Sequence, residues 1–390
     1  MSTRTRLSVL FITTPVLAFV LVGGFMGSAA AGDTEIQNLR VFNDVVSLIV
    51  NNYVEEVQPD HVMEGAMRGL AEGLDPDSAY LTPDEVKAVE RQDALPDGGV
   101  GIELTRQYYL RVIAARDGSP AAKAGLRTGD YVRAIDQKST RDLSVFEGMR
   151  QLRGQPGTRV VLTVIRGNAA EPHDVELVRE KESGALVTGR IIPDGIGYIR
   201  VAAFGSGVAD MLRTQAASLT KQGATHLIID VRHTAEGAFE TGLDAARLFV
   251  KSGTLAIRAP RDGQGARDTI AAKPGDGTIT APVTLLVSTG TSGAAELFAA
   301  ALDGNGRADL VGERTLGRAG IQKLVHLPEG RGLWLTYARY LTPAGAPIQG
   351  KGLTPDQEVE EPDVDFGEPA PETDPVLDAA IARVRGRKAA

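Results

Sequence analysis

The chain has 390 residues, 43% of them hydrophobic and 24% charged, which predicts a globular protein of two or three domains. Its net charge of −8 and isoelectric point near 5.3 argue against non-specific binding to nucleic acid, because such binding needs a broad basic surface. The absence of cysteine excludes disulfides and thiol catalysis, and the five histidines lack metal-ligand spacing, so we expect no metal and no cofactor.

Residues 1–31 predict an export signal or an N-terminal membrane anchor. Two arginines precede an apolar run, Leu7–Met26, and Ala29 and Ala31 follow with the spacing of a signal-peptide cleavage site. The run is also long enough to span a bilayer, so an uncleaved anchor with its positive side inward is the alternative. Both interpretations place the rest of the chain in a bacterial periplasm or cell envelope, in the second case held at the inner membrane.

Residues 35–96 are predicted to form a helical region. Apolar residues recur at helical spacing from Ile36 to Ile49, and Thr82 is the predicted N-cap of a later helix, with Glu85 completing a capping box. The phrases NNYVEEV, from Asn51, and LDPDSAYLTPDE, from Leu74, resemble the helical preamble of the carboxyl-terminal processing peptidases, also called tail-specific proteases. A generic helical domain would hardly match both phrases in order.

Residues 97–182 are predicted to form a PDZ domain, a β-rich α+β fold. Glycine lets successive backbone N–H groups point at one anion, and four residues fit the loop that binds a peptide's terminal carboxylate: Gly99, Val100, Gly101 and Ile102. The segment DGSPAAKAGLRTGDYVRAIDQKS, from Asp117, resembles bacterial PDZ modules, and an amphipathic helix over 143–152 is expected to flank the groove. The expected partners are therefore protein C-termini or unfolded peptides.

Residues 183–358 alternate between predicted strands and helices, which predicts an α/β core on a largely parallel sheet. The predicted strands cover 196–201, 226–231, 283–287, 308–311, 322–327 and 332–340, and the predicted helices cover 207–222, 242–251 and 294–304. Residues 359–390 are expected to be an acidic, proline-rich, solvated linker with a short helix over 376–384. The expected fold class is multidomain α/β: a helical N-terminal region, a PDZ domain and an α/β core of the tail-specific protease type.

The segment 287–296 resembles the turn that carries the catalytic serine of the carboxyl-terminal processing peptidases. In this alignment the serine falls at Gly293, and the general-base lysine falls at Arg318. Only the third catalytic residue, a glutamine, is kept, as Gln322. Glycine has no attacking group, and arginine cannot be deprotonated at a useful pH, so the resemblance implies a serine peptidase homologue without its standard chemistry.

The loop after the predicted strand 226–231 also differs from the family pattern in a way that disfavours peptide hydrolysis. In the family this loop is glycine-rich, and its N–H groups help to form an oxyanion hole. Here Glu236 replaces one glycine of a pair, which leaves the N–H groups of Gly237 and Ala294 as the oxyanion-hole candidates. A carboxylate facing the site would oppose the negative charge that develops during acyl transfer.

Three alternatives stay open at this point. The protein is an active endopeptidase if Ser292, one residue before the family position, attacks with His233 as base and Asp230 or Glu236 as orienting group. It is a regulatory partner if it shares the substrates of an active homologue or assembles with one. A homo- or hetero-oligomer also stays open. Arg318, finally, either binds a peptide carboxylate or pairs with a glutamate of the core, Glu296 or Glu313.

Overall fold

The computed structural model describes residues 37–91, 96–167, 171–181, 184–262, 265–368 and 371–389. They fall into two compact units, one ending at Leu70 and the other starting at Ala71. The predicted export segment lies outside the described residues. Among the helices that the structure describes, none is long and apolar enough to cross a membrane.

The first unit is helical, as the apolar spacing predicts. Helix α1 covers 37–52, and α2 covers Pro59–Glu72, whose last residues belong to the second unit. Apolar side chains of α1 are exposed to solvent, among them Leu39 and Leu48.

The second unit begins with a turn, a strand and a helix. Strand β1 (Ala79–Leu81) precedes α3 (Pro83–Glu90), and the predicted capping box is present, with the N–H of Thr82 donating to the Glu85 carboxylate at 2.8 Å. The strand contradicts a wholly helical region 35–96. It pairs with a strand more than 250 residues later, at Gly332–Leu341, and local periodicity cannot reveal such a long-range contact.

The predicted PDZ region folds around a six-stranded sheet with the order β3-β4-β5-β7-β8 and β6 paired to β5, while β2 pairs with β9. The predicted groove helix is α5, which opens with a capping box between Ser144 and Glu147. The elements are β2 (Gly98–Gly99), β3 (Ile102–Gln107), β4 (Tyr109–Ala115), α4 (Pro120–Lys123), β5 (Tyr131–Ile135), β6 (Lys138–Ser139), α5 (Val145–Leu152), β7 (Arg159–Ile165), β8 (His173–Val178) and β9 (Glu180–Lys181).

The α/β core contains a six-stranded sheet with the order β10-β11-β12-β15-β16-β19. All neighbours are parallel except the edge strand β10, and the apolar run of β12 is buried along its whole length, as expected inside a parallel sheet. The elements are β10 (Val187–Ile192), β11 (Ile196–Val201), α6 (Val208–Lys221), β12 (His226–Asp230), α7 (Phe239–Ala246), β15 (Val283–Val287), α8 (Ala294–Asp303), β16 (Ala308–Gly312) and β19 (Gln357–Glu358). The predicted parallel core is confirmed.

A second sheet, antiparallel, joins the start of the unit to the core. Its order is β1-β18-β13-β14, with β17 also paired to β18, and its strands are β13 (Thr254–Pro260), β14 (Asp268–Ala271), β17 (Gly320–His326) and β18 (Gly332–Leu341). The helix predicted over 242–251 is α7, which starts earlier, at Phe239, and ends earlier, at Ala246. The ring of Phe239 packs on that of Tyr340, with 5.0 Å between the centroids.

Most residues of the predicted linker are exposed, as expected, but several of them contact the fold, and the helix that follows is longer than predicted. Phe366 stacks on His173 at 4.5 Å between ring centroids, and Glu361 and Asp374 pair with Arg232 at 3.1 and 2.7 Å. Helix α9 (Pro375–Ala389) is longer than predicted, and three of its residues are buried in a cluster on the parallel sheet: Val376, Ala380 and Val384. Acidic composition predicted solvation, whereas specific arginine and aromatic partners hold this segment against the fold.

Candidate active site and peptide groove

The turn between β15 and α8 is held together by the hydroxyl of Thr291. Its Oγ1 donates to the carbonyl of Val231 at 2.8 Å and accepts the N–H of Ser288 at 3.0 Å. The residue is fully buried. Because the hydroxyl both donates and accepts inside the fold, Thr291 stabilises the turn.

Gly293 lies directly before α8, at the position predicted for it. Its backbone angles, φ 63° and ψ −120°, belong to a region that residues with side chains rarely adopt. A Cβ at this position would lie 3.6 Å from the carbonyl oxygen of Ala235, which is an ordinary contact. The position therefore has room for a serine, and glycine removes the backbone strain that a serine would carry.

Ser292 is fully buried at the end of the turn before Gly293. Its N–H donates to the carbonyl of Thr234 at 3.0 Å, while its Oγ has no hydrogen-bond partner among the described residues. A serine becomes a nucleophile when a neighbouring base accepts its proton. Within the described residues, neither His233 nor any lysine offers that base to Ser292.

Glu296 joins the two turns to which sequence analysis assigns the nucleophile and base positions, Gly293 and Arg318. This fully buried carboxylate accepts N–H groups of Gly293 at 3.2 Å, Gly317 at 2.7 Å and Arg318 at 2.7 Å, and also the hydroxyl of Thr315. Burial raises its pKa, and these hydrogen bonds offset part of the rise. Glu296 therefore links the start of α8 to the segment 315–318 through buried hydrogen bonds.

The guanidinium of Arg318 points to partners that sequence analysis did not identify. It lies 2.8 Å from Asp77, in the turn before β1, and 3.7 Å from Glu103 on β3. Burial by itself lowers the pKa of Arg318, but these carboxylates more than offset that effect and raise it. The expected ion pair with Glu296 or Glu313 is therefore wrong for the side chain, since only the backbone N–H of Arg318 contacts Glu296.

Gln322, which the sequence resemblance assigns to the third catalytic position, contacts the second sheet. Its amide nitrogen donates to the hydroxyl of Thr336 on β18 at 3.1 Å. The hydroxyl of Ser78 lies 3.4 Å from the Thr336 hydroxyl oxygen and accepts the backbone N–H of Thr336 at 3.2 Å. Gln322 therefore contacts β18 of the second sheet, next to Ser78 near the start of the second unit.

His233 and Asp230 do not form the predicted triad with Ser292. The Nδ1 of His233 lies 2.8 Å from the hydroxyl of Thr128, and its Nε2 lies 2.8 Å from the Glu361 carboxylate. Asp230 accepts hydrogen bonds from Arg232 and Tyr198. Burial alone would raise its pKa, but Arg232 and Arg200 lower it to about 2. The histidine therefore links the predicted PDZ region to the C-terminal segment.

Glu236 faces the predicted PDZ region. Its carboxylate pairs with Arg116 at 3.3 Å, which partly neutralises the charge that sequence analysis expected to oppose an oxyanion. The neighbouring Gly237 has φ 130° and pairs with Phe204 in a parallel bridge, and a Cβ there would lie 2.4 Å from the Phe204 carbonyl oxygen. Ala294, the other oxyanion-hole candidate, is fully buried at the start of α8.

The predicted carboxylate loop, Gly99–Ile102, lines a narrow groove against α5. Met149 and Leu152 form the helix side, and Glu236 of the core also lines the groove. Gly101 has φ 73°, and a Cβ there would lie 2.3 Å from Ser119, so only glycine fits this loop. The cavity of about 20 Å³ holds roughly one water, so a peptide side chain would enter only if α5 and β3 separate.

Three contributors to the site escaped sequence analysis: Asp77, Glu103 and Arg116. Each is a charged residue whose partner lies more than 100 positions away, at Arg318 or Glu236. Asp77 lies inside the segment LDPDSAYL, whose resemblance to the family was the one sequence feature that pointed to this residue. Spacing alone cannot assign such long-range pairs.

Comparison with protein families supports all three predicted regions. The model described as peptidase family S41 matches residues 195–359, a PDZ domain model matches 98–177, and the model described as the activating protease CtpB N-terminal domain matches 24–85. The matches follow one another in the order that the sequence resemblance predicts.

Individual proteins similar to this chain support the same family. The carboxy-terminal-processing protease of Bartonella bacilliformis is 31% identical over 331 residues, covering 84% of this chain and 76% of that protein. The carboxy-terminal processing protease CtpA of Bacillus subtilis is 28% identical, covering 86% and 71%. The solved structure of a photosystem II D1 C-terminal processing protease superposes with a TM-score of 0.68 at 29% identity, covering 80% of this chain and 85% of that one. The chain therefore belongs to the carboxyl-terminal processing proteases of peptidase family S41, with the PDZ domain and α/β core of that family.

Proposed function

We propose that this protein recognises protein C-termini or extended peptides through its PDZ groove and does not hydrolyse them by Ser-Lys chemistry. The residue at the nucleophile position, Gly293, has no side chain. The residue at the base position, Arg318, is held in its charged form by Asp77 and Glu103. A charged guanidinium cannot accept the proton of an attacking hydroxyl.

The observation that carries this proposal is the environment of Ser292. Its Oγ is buried and hydrogen-bonds to none of the described residues, and His233 is engaged by Thr128 and Glu361. A displaced nucleophile would need a base within reach of that oxygen. We therefore favour binding over the alternative of an endopeptidase that uses Ser292.

The PDZ groove supports recognition of a free C-terminus. Backbone N–H groups of a glycine-containing loop can converge on one carboxylate, and a peptide can add as a strand beside β3. The PDZ sheet leaves β3 at its edge, with a neighbour in that sheet on one side only, β4. An edge strand with unpaired backbone groups is the element that strand addition requires.

We further propose that the protein is exported to the periplasm or cell envelope. The support is the sequence of residues 1–31, with its apolar run and small-residue cleavage pattern. Comparing the N-terminal residue of the protein purified from cells with that of the encoded chain separates a cleaved signal from an anchor.

A labelled-peptide assay on the purified protein tests the proposal. Peptides with a free C-terminus should bind about tenfold or more tightly than the same peptides with an amidated C-terminus, because charge-assisted hydrogen bonds are lost on amidation. Gly101→Val, whose Cβ would clash with Ser119, should weaken binding of the free-acid peptide, with thermal unfolding as the check on folding. Equal affinity for free-acid and amidated peptides would refute carboxylate recognition.

A further inference from the structure

A polar cavity of about 440 Å³ lies at the carboxyl ends of β11 and β12, separate from Gly293, Arg318 and the PDZ groove. Three parts of the second unit line it: the core sheet, Asp117 of the PDZ domain and Glu361 of the C-terminal segment. Crevices at the carboxyl ends of parallel strands are common ligand sites, and this volume suits a small ligand. Of its lining residues, only His233 and Glu361 enter the argument for the proposed function above.

Two of the three arginines in the wall are neutralised by the fold. Arg200 donates to both oxygens of Asp117, at 2.8 and 3.0 Å, and Arg232 pairs with Asp230, Glu361 and Asp374. The guanidinium groups of Arg200 and Arg232 are therefore already paired with carboxylates of the protein. A ligand would gain little by competing for either guanidinium.

The third arginine, Arg190, is different. It has no hydrogen-bond or ion-pair partner among the described residues, and its guanidinium stacks 4.7 Å above the ring of Tyr198. Stacking uses the face of the guanidinium and leaves its N–H edge available for a carboxylate. Thr188, two residues earlier on β10 and therefore on the same face, adds a hydroxyl beside it.

The charge of the wall also restricts the ligand. Three arginines face three carboxylates, so an anion would meet no net positive field. Asp117 is half exposed, and although both of its oxygens accept from Arg200, each oxygen keeps a further lone pair that can accept from an ammonium group. Arg190 and Asp117 therefore present opposite charges to one cavity.

We propose that this cavity binds a small zwitterion, a free amino acid or dipeptide, with its carboxylate on Arg190 and its ammonium on Asp117. The site is distinct from the PDZ groove, for which we propose recognition of a terminal carboxylate and an extended peptide. Because the PDZ domain, core and C-terminal segment all contribute to the wall, the bound ligand would stabilise their contact.

Calorimetric titration of the full protein with Ala-Ala, N-acetyl-Ala-Ala and Ala-Ala-amide tests the proposal. Ala-Ala should bind saturably, and each capped dipeptide about tenfold more weakly, because each lacks one charge-assisted contact. Arg190→Gln should abolish the penalty for amidation, and Asp117→Asn the penalty for acetylation. Arg258→Gln, which removes an exposed arginine of β13, is the matched control and should leave all three affinities unchanged.

Each other result overturns the proposal. Equal binding of Ala-Ala and N-acetyl-Ala-Ala would make the cavity a simple anion site. Unchanged binding in Arg190→Gln and Asp117→Asn would assign the dipeptide to the PDZ groove. An absence of saturable binding would show that the cavity does not bind zwitterions. Binding of longer peptides by the PDZ groove is measured separately, so this result would leave the proposed function untouched.

Discussion

The backbone N–H groups of Gly293 and Arg318 donate to the same carboxylate oxygen, Oε2 of Glu296, at 3.2 and 2.7 Å. This carboxylate therefore holds together the two turns to which the sequence resemblance assigns the nucleophile and base positions of the family. The contact depends on main-chain N–H groups, so it does not require a serine or a lysine side chain at these positions.

We expect Glu296→Ala to destabilise the protein by about 3 kcal/mol or more, because three buried N–H groups lose their acceptor. Urea unfolding measures the change. Glu329→Ala, which removes an exposed glutamate, should stay within about 0.5 kcal/mol of the wild type. Equal effects of the two substitutions would show that Glu296 does not stabilise the turns at Gly293 and Arg318.

Gly293→Ala should cost about 1–3 kcal/mol, because the backbone at 293 adopts φ 63° and ψ −120° while the space for a Cβ is open. The cost is thus conformational and not steric. Gly65→Ala is the matched control, since Gly65 lies inside α2 with no atom within 4 Å of its Cβ, and it should be neutral or stabilising. Thermal or urea unfolding of the pair gives the comparison, and a neutral Gly293→Ala would contradict the assigned strain.

Stability should fall in acid because of Asp230. Its pKa is lowered to about 2 by Arg232 and Arg200, so its contribution is complete above the unfolded value of about 3.9 and is lost as the pH falls toward 2. The expected loss is on the order of 2 kcal/mol, and Glu361, whose pKa is also lowered, adds to it in the same direction. Urea unfolding between pH 5 and pH 2 should show this slope. Asp230→Asn should flatten it, while the exposed Asp268→Asn should not.

Glu236→Gln should strengthen binding of free-acid peptides at the PDZ groove, because it removes a negative charge that lines the groove and frees Arg116 from that partner. Arg116→Gln should weaken the same binding. Fluorescence anisotropy with one labelled peptide measures both variants. An amidated peptide is the control and should respond less to either change, and a fall in free-acid affinity in Glu236→Gln would contradict this reading of the groove.

Much of the architecture followed from local patterns, whereas the site's partners did not. The buried run of β12 and the capping box at Thr82 are dictated by neighbouring residues, and both were predicted. The pairs Arg318–Asp77 and Glu236–Arg116 join distant parts of the chain, and no periodicity specifies them. The docked C-terminal segment was missed for the same reason, since Phe366 is held by the distant His173.

Turnover of unstructured peptides by wild-type protein and by Ser292→Ala tests the central claim most directly. With no base beside Ser292 among the described residues, and with Arg318 held charged, we predict no cleavage above background in either protein, while free-acid peptides still bind. The contradicting result is cleavage by the wild type that Ser292→Ala abolishes, which would establish an active peptidase with a displaced nucleophile.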